Sequence, residues 1–390
     1  PYGDSATIRV IFGACWITAR RGDMDTKLLV LEDFKKTGQI SEADQAKIAE
    51  AAEILRNGGL VAFPTETVYG LGGDARLKEA SRRIYEAKGR PSDNPLIVHI
   101  SDISQLDAVA SDISDAARMM ADKYWPGPLT MVFKKTDLIP YETTGGLDTV
   151  AVRYPVHPIA KALIAASGAY IAAPSANISG RPSTTAAAHC IEDLSGRVEA
   201  IVDGGDCEIG LESTILDVSG DIPQLLRPGA VTTEMIEDTL GISLSEDAAL
   251  KGPLAEGVRP KAPGMKYRHY APKAEMILVD GNDPVKKAEG IYKLAMEKTA
   301  AGKCTALLCS DECISDLVRL DPDIKNKLSI KSTGSREDEA ETAHKLFELL
   351  REMDAEGIEF IAAEGYDEAE IGKALMNRMK KAAAWQIIHT

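Results

Sequence analysis

The feature that most constrains this chain is a basic segment, rich in proline and glycine, at residues 251–273. Its four prolines and three glycines are too many for a helix and too scattered for a strand. The segment also carries a net charge of +5, whereas residues 24–242 before it sum to −12. It therefore predicts a linker between two separately folded parts, which we place at 243–274.

Strand and helix patterns are mixed, without strict alternation, before the linker. Ser41 can cap a helix that stops at Gly58, and a short apolar run follows at 60–63. This mixture predicts one α/β domain with a mixed sheet over 24–242. Strands are predicted at 96–100, 129–133, 150–153, 170–173, 200–202 and 214–218, and helices near 77–88, 112–124, 158–166 and 184–194.

After the linker the two patterns alternate. This alternation is typical of a small parallel, Rossmann-like α/β domain, which we place at 275–390. Its strands are predicted at 276–279, 305–309, 328–330 and 358–362, and its helices at 284–300, 337–354 and 369–383.

Composition excludes several classes of protein. A net charge of −15 makes the chain a poor free-standing, non-specific nucleic-acid binder, which would need a broad basic face. No apolar run approaches the 18 or so residues of a membrane span, so no membrane role is expected. Six unevenly spread cysteines fit a reducing compartment, and we expect a cytoplasmic protein.

Residues 1–23 need a separate interpretation. Their uncharged stretch at 10–19 has Asp4 before it and Arg20-Arg21 after it, the reverse of a signal peptide. We interpret them as an extension outside the fold, with Met24 as the natural start.

One glycine cluster resembles a cofactor loop. Residues 70–75 (GLGGDA) match the loose dinucleotide pattern GxGxxA, which would suggest a nicotinamide oxidoreductase. The context is wrong, because six residues separate the glycines from the preceding strand. We interpret the cluster as a tight turn that needs backbone freedom.

Two further clusters suggest ligand contacts. Lys88 and Arg90 flank a glycine on a proline-fixed loop, and could clamp phosphate or simply be solvated. Residues 172–183 (AAPSANISGRPS) offer small residues and neutral hydrogen-bond groups at a strand end, as a ligand site or a capped turn. Arg153 ends an apolar strand and needs an anion, either a protein carboxylate or a substrate carboxylate. The cysteines at 304, 309 and 313 are more typical of buried thiols than of a zinc site.

Seven motifs occur in an order that identifies a family. They are PTETVYGLG (64–72), KGRPxxNPL with VHI (88–100), WPGPLT (125–130), VRYP (152–155), APSANxSGxPS (173–183), ESTI (212–215) and LRPG (226–229). Together they closely resemble the YrdC-type threonylcarbamoyl-AMP synthases. The segment GMKYRHYAP (264–272) and the domain after it resemble the long, two-domain form.

The resemblance implies a fold and an activity. The fold is the twisted mixed sheet of the YrdC domain, with a concave cleft, joined to the smaller C-terminal domain. The activity condenses L-threonine, bicarbonate and ATP into L-threonylcarbamoyladenylate and pyrophosphate, with Mg²⁺ on the ATP phosphates and no metal held by the protein. A partner complex then transfers the threonylcarbamoyl group to tRNA.

The resemblance also implies site residues. The family's Lys-x-Arg and Ser-x-Asn pairs fall on Lys88 with Arg90 and Ser175 with Asn177, the candidate catalytic residues. The L-threonine site falls on Thr67, His99, Arg153, Ala173 and Ser213. The nucleotide site falls on Arg90, Asn94, Thr149, Ser175, Ser183, Arg227 and, from the linker, Tyr270.

The charge of the linker suggests more than a tether. A passive spacer needs neither +5 nor the aromatic side chains of Tyr267, His269 and Tyr270. We expect a lid over the nucleotide, mobile without ligand; the alternative is a tether with solvated cations. An RNA- or tRNA-binding module is the alternative function for the whole chain, and weak tRNA contact is compatible with the enzyme.

Overall fold

A computed structural model describes residues 24–250, 252, 259–265 and 269–390. The predicted extension at 1–23 lies outside the described residues. Within the described part, no helix is long and apolar enough to cross a membrane.

The first sheet is mixed, as the sequence predicts, and it has 12 strands. Across the sheet the order is β1-β9-β2-β3-β8-β4-β7-β6-β10-β11-β12, and β5 pairs with β6. The strands are β1 (Lys27–Val30), β2 (Val61–Phe63), β3 (Gly70–Asp74), β4 (Ile97–His99), β5 (Ala110–Ser111), β6 (Leu129–Lys135), β7 (Thr149–Arg153), β8 (Ile171–Ala172), β9 (Ala200–Asp203), β10 (Thr214–Asp217), β11 (Gln224–Arg227) and β12 (Ser245–Glu246). The helices are α1 (Glu32–Thr37), α2 (Glu42–Arg56), α3 (Lys78–Lys88), α4 (Leu106–Val109), α5 (Asp115–Tyr124), α6 (Pro158–Ser167), α7 (Ala187–Leu194) and α8 (Thr233–Leu240).

Local signals explain where these helices begin and what they cover. The Ser41 hydroxyl accepts a hydrogen bond from the Asp44 N–H at 3.2 Å, so the predicted cap of α2 is present. Ile48 and Leu55 of α2 are fully buried against the sheet. Helix α6 starts with Pro158 at its first turn and ends at Gly168, whose φ is +61°.

The glycine cluster at 70–75 is a strand, and its interpretation as a tight turn was wrong. Gly70, Gly72 and Gly73 lie in β3, which is buried along its whole length, and none has a positive φ. A Cβ on Gly72 would lie 2.8 Å from Phe63 and 2.9 Å from Ile171. The glycines therefore allow close packing between strands, not a phosphate-binding turn. The interpretation as a dinucleotide-binding loop therefore has no support, because these glycines form a strand.

The second sheet is purely parallel, in the order β15-β14-β16-β13-β17, as predicted for a Rossmann-like domain. Two helices, at Asp311–Leu320 and Ile324–Lys327, and a strand at Ile387–His389 were not predicted. The strands are β13 (Glu275–Asp280), β14 (Thr305–Cys309), β15 (Ser329–Ser332), β16 (Phe360–Glu364) and β17 (Ile387–His389), and the helices are α9 (Pro284–Ala300), α10 (Asp311–Leu320), α11 (Ile324–Lys327), α12 (Glu339–Ala355) and α13 (Glu370–Ala382). Cys309 and Cys313 are buried free thiols and Cys304 is an exposed one.

The linker starts slightly later than the predicted boundary. Strand β12, beyond residue 242, still pairs with β11. Residues 259–265 and 269–274, where described, form neither helix nor strand. They run between the two sheets and bring the linker against the first domain: the N–H of Ala271 donates to the carbonyl of Gly180 at 2.9 Å.

Candidate active site

A single cavity gathers most of the predicted site residues. It contains about 580 Å³ of atom-free space, part of which is open to solvent. Eleven of the fourteen predicted residues line it, and Lys88, Asn94 and Thr149 do not. The eleven are Thr67, Arg90, His99, Arg153, Ala173, Ser175, Asn177, Ser183, Ser213, Arg227 and Tyr270.

One part of the cavity holds the residues predicted to bind L-threonine, and we call it the threonine half. The register of the strands brings several of these residues together. His99 ends β4 and Arg153 ends β7, and the two are direct partners in this parallel pair. Thr67 follows β2, and Ala173 follows β8, whose Ile171 pairs with His99. Ser213 precedes β10, and its hydroxyl lies 2.8 Å from that of Thr130 on β6.

Arg153 has a protein carboxylate beside it, one of the two partners left open by the sequence. Its Nη2 lies 2.7 Å from Oε1 of Glu66, and both side chains are buried. Although burial alone raises the pKa of Glu66, Arg153 holds that pKa below its usual value. The Nε of Arg153 makes no hydrogen bond to any described residue. A buried, unsatisfied donor on a cavity wall can receive a substrate carboxylate.

His99 is a neutral member of the same half. Burial, and then the charge of Arg153, lower the pKa of His99 from 6.5 to about 3. Its Nδ1 lies 3.1 Å from the carbonyl oxygen of Ile97. The ring is therefore uncharged at neutral pH and does not repel a protonated amine.

Loops, the end of β11 and the linker form the part of the cavity that holds the residues predicted to bind the nucleotide, which we call the nucleotide half. Arg90 donates to the carbonyls of Asn94 at 3.2 Å and Pro95 at 3.1 Å, and burial lowers its pKa to about 10, so it stays charged. The hydroxyl of Ser175 donates to Oδ1 of Asn177 at 2.6 Å. Arg227 donates from Nε to the carbonyl of Ser213 at 3.0 Å.

Three predicted residues lie outside the cavity wall. The ammonium of Lys88 is fully buried and donates to the carbonyls of Ser175 and Asn177. Asn94 is buried behind Arg90. Thr149 begins β7, whereas Arg153 ends it about 13 Å away, so Thr149 faces a separate depression with Asp217. Thr149 therefore does not line the same cavity as the other predicted nucleotide residues, and its nucleotide role stays a prediction; Lys88 supports the Ser-x-Asn loop.

The linker closes one side of the cavity. Pro263, Gly264, His269 and Tyr270 all line it. Tyr270 is buried and stacks on Phe347 of α12, with ring centroids 5.3 Å apart. Tyr267, which the sequence grouped with these aromatic residues, lies outside the described residues.

Sequence reasoning assigned no role to three charged residues at this site. Glu66 and Glu212 stood inside quoted motifs, and their position in those motifs was the only available signal. Arg378 lies in α13 of the C-terminal domain, and its fully buried guanidinium pairs with Glu212 at 3.1 Å. No local pattern marks it.

Two family models match successive parts of the chain. A family model described as Telomere recombination (Sua5, YciO and YrdC) matches residues 53–229. A second, described as Threonylcarbamoyl-AMP synthase, C-terminal domain, matches residues 231–384.

Curated relatives and a solved structure match both domains. The threonylcarbamoyl-AMP synthase of Pyrococcus abyssi is 46% identical over 346 residues, covering 88% of this chain and 96% of that protein. The Bacillus subtilis enzyme of that name is 44% identical over 353 residues, covering 90% and 97%. The crystal structure of P. abyssi Sua5 complexed with L-threonine superposes with a TM-score of 0.83 at 44% identity, covering 94% of this chain and 99% of that one. The chain therefore belongs to the threonylcarbamoyl-AMP synthase family, as an enzyme of its two-domain form.

Proposed function

We propose that the cavity condenses L-threonine, bicarbonate and ATP into L-threonylcarbamoyl-AMP and pyrophosphate. The observation that carries the proposal is Arg153, buried on the wall with a free Nε, beside a neutral His99. The similar Sua5 of P. abyssi was crystallised with L-threonine, which supports the threonine half as an amino-acid site.

The reaction needs positioning and charge more than a protein nucleophile. Threonine's amine loses a proton and becomes a carbamate on the carbon of bicarbonate or CO₂, with water leaving in the bicarbonate case. A carbamate oxygen then attacks the α-phosphorus, and the bond to pyrophosphate breaks. Arg153 would hold the threonine carboxylate, and Thr67 and Ser213 offer hydroxyl groups to the same substrate.

The nucleotide half would neutralise the negative charge of the ATP phosphates. Arg90 and Arg227 line it as buried cations and would face the phosphates, with Ser175, Asn177 and Ser183 as neutral hydrogen-bond groups. Mg²⁺ bound to ATP would neutralise phosphate charge as pyrophosphate leaves. Among the described residues, no group of three or more His, Cys, Asp or Glu side chains is arranged to hold a metal. We assign Mg²⁺ to the ATP phosphates, as the resemblance to the family implies.

The linker would keep water from the product. Carbamoyl-adenylates hydrolyse readily, and Tyr270 with Gly264 covers the cavity from the linker side. Trypsin should cut at Lys261 without ligand, and ATP, threonine and Mg²⁺ should protect that bond. The other sites expected from the sequence, Lys266 and Arg268, lie outside the described residues. Unchanged cleavage, with full activity of a chain truncated at Ile242, would refute the lid.

Pyrophosphate release tests the reaction itself. With ATP and bicarbonate, release should require L-threonine, and the adenylate should appear in equal amount. Release that is independent of threonine would contradict the proposal.

In this proposal a separate complex transfers the threonylcarbamoyl group to tRNA. The enzyme itself acts in the cytoplasm, where its six scattered cysteines would stay reduced. Direct tRNA contact would be weak and would fall steeply with salt. Binding of tRNA measured without substrates, across a salt series, tests this part.

A further inference from the structure

The C-terminal domain reaches into the nucleotide half through buried cations. Arg378 of α13 has no exposed surface, although it carries a full charge. A buried charge is costly unless it is paired and hydrogen-bonded, so the partners of Arg378 show what its position serves.

The three shortest hydrogen bonds of Arg378 all go to the first domain. Its Nε donates to Oε2 of Glu212 at 3.1 Å and its Nη2 to the Glu212 carbonyl at 3.2 Å. Its Nη1 donates to the carbonyl of Pro228 at 2.6 Å. One guanidinium therefore fixes both the loop before β10 and the residue that follows Arg227.

Glu212 passes this restraint to the cavity wall. Its other oxygen, Oε1, accepts a hydrogen bond from the hydroxyl of Ser183. Although burial alone raises the pKa of Glu212, Arg378 and Arg227 hold it below its usual value, so the carboxylate stays ionised. Arg378, Glu212 and Ser183 thus form a continuous chain from the second domain to a residue predicted to bind the nucleotide.

A second contact restrains the linker from the same helix. Lys381, one turn after Arg378, donates to the carbonyl of Gly264 at 2.7 Å. The guanidinium of Arg378 also lies 5.8 Å from the ring centre of Tyr270. Helix α13 therefore contacts both parts of the nucleotide half, the loops and the linker.

The threonine half has a different support. The charged partner of Arg153 is Glu66, and Nδ1 of His99 faces the carbonyl of Ile97, both within the first domain. Ser213 is the exception, because it is next to Glu212 and accepts hydrogen bonds from Arg227, although its hydroxyl also contacts that of Thr130 of β6.

We propose that Arg378 is a positioning residue for nucleotide binding, supplied by the C-terminal domain and acting through Glu212 on Ser183 and through Pro228 on Arg227. The inference rests on the proposed assignment of Ser183 and Arg227 to the nucleotide. It gives the second domain a defined part in the reaction: it shapes the ATP site and leaves Arg153 and His99 of the threonine site on their own supports.

Steady-state kinetics separate these roles. Arg378→Gln should raise the KM for ATP about tenfold or more, with the KM for threonine within about twofold of wild type. Arg378→Lys keeps the positive charge but replaces the planar guanidinium, with its several N–H donors, by a single ammonium group. It should give an intermediate KM for ATP. Glu212→Gln should reproduce the effect, and its combination with Arg378→Gln should be less than additive.

Lys373 provides the matched control. It also lies on α13 and crosses to the first domain, where it pairs with Glu246 and contacts Thr233 at 3.2 Å, away from the cavity. Lys373→Met should leave both KM values unchanged. Ser183→Ala checks the site assignment separately: a normal KM for ATP there would refute Ser183 as a nucleotide residue.

Three results would overturn the role of Arg378. One is an equal rise in both KM values, which would mean a general loss of structure. Another is an unchanged KM for ATP in Arg378→Gln while Ser183→Ala raises it. If Arg378→Gln does not fold, an unchanged KM for ATP in Glu212→Gln would have the same meaning.

Discussion

The two halves of the cavity are built in different ways. The threonine half takes Arg153 and His99 from neighbouring strands, so backbone pairing alone brings them together. The nucleotide half takes Ser183 from a loop, Arg227 from the end of β11 and Tyr270 from the linker, and these three segments are not strand partners of one another. Hydrogen bonding between paired strands determines which side chains lie next to each other. Loops lack this pairing, so other groups must hold their side chains in place.

Buried lysine and arginine side chains supply those groups in the nucleotide half. Lys88 binds two carbonyls of the Ser-x-Asn loop, and Arg378 binds those of Glu212 and Pro228. Arg351 of α12 donates to the carbonyl of Pro182 at 2.6 Å and pairs with Asp193 at 2.8 Å. Comparison of the halves therefore predicts that mutations in the threonine half weaken the binding of one substrate, whereas mutations of the loop supports lower turnover and stability together.

The largest effect should come from Arg153→Ala. Losing a charged partner in a desolvated site should weaken threonine binding by roughly 2–5 kcal/mol, with ATP binding unchanged. Calorimetric titration with L-threonine measures this. The double variant Arg153→Ala with Glu66→Gln removes the buried charge that the single change leaves unpaired. It should recover stability but not threonine affinity, and wild-type affinity in either variant would make Arg153 structural.

Lys88→Ala should be next, and it tests the other half. The sequence placed Lys88 on a phosphate, and that role stays a prediction; in the structure its ammonium holds two backbone carbonyls. Each carbonyl left unsatisfied costs about 1–3 kcal/mol, so turnover and the free energy of unfolding should fall together. Urea denaturation and pyrophosphate release measured on one preparation decide this. Lost turnover at full stability would favour the phosphate contact instead.

Acid should destabilise the threonine half through His157. This buried histidine lies beside Glu66 and Arg153, and burial lowers its pKa from 6.5 to about 4. Above pH 6.5 the ring is neutral whether folded or unfolded. Below that pH the unfolded chain binds the proton first, so stability is lost as pH falls from 6.5 towards 4. Between pH 6.5 and 5 the loss should be about 2 kcal/mol, and urea midpoints of wild type and His157→Gln should differ in slope.

The choice of amino acid should give the smallest effect. Serine lacks one methyl group, worth about 1 kcal/mol of packing, so it should react several-fold more slowly than L-threonine. Relative pyrophosphate release for threonine, serine, alanine and glycine measures the preference. Equal rates with alanine or glycine would contradict a dedicated threonine half.

Periodicity predicted most of both sheets. The helix expected at 284–300 has those bounds in the structure, because its cap and apolar repeat are local signals. Strand β3 was missed because its three glycines are typical of a turn, and only their packing against Phe63 and Ile171 shows why a strand needs them. Strand β17 was missed because it is short and largely exposed.

In the candidate site, too, some residues could be predicted from the sequence and others could not. Family motifs mark residues such as Arg153 and Ser183 that face the cavity, and these could be named from the sequence. Their supports could not. Glu66 as the partner of Arg153 depends on the fold of the first domain. Arg378 depends on how α13 packs against it, which no short pattern encodes.

The contact between Arg378 and Glu212 joins residues 166 positions apart in the chain. At 5–20 residues per second, a ribosome needs roughly 8 to 33 seconds to add that stretch, and domains generally fold in order of synthesis. The first sheet therefore emerges well before the arginine that completes its nucleotide loops. On this account the nascent enzyme can take up its amino acid before it can hold ATP firmly. The order of translation would then keep half-made chains from consuming nucleotide.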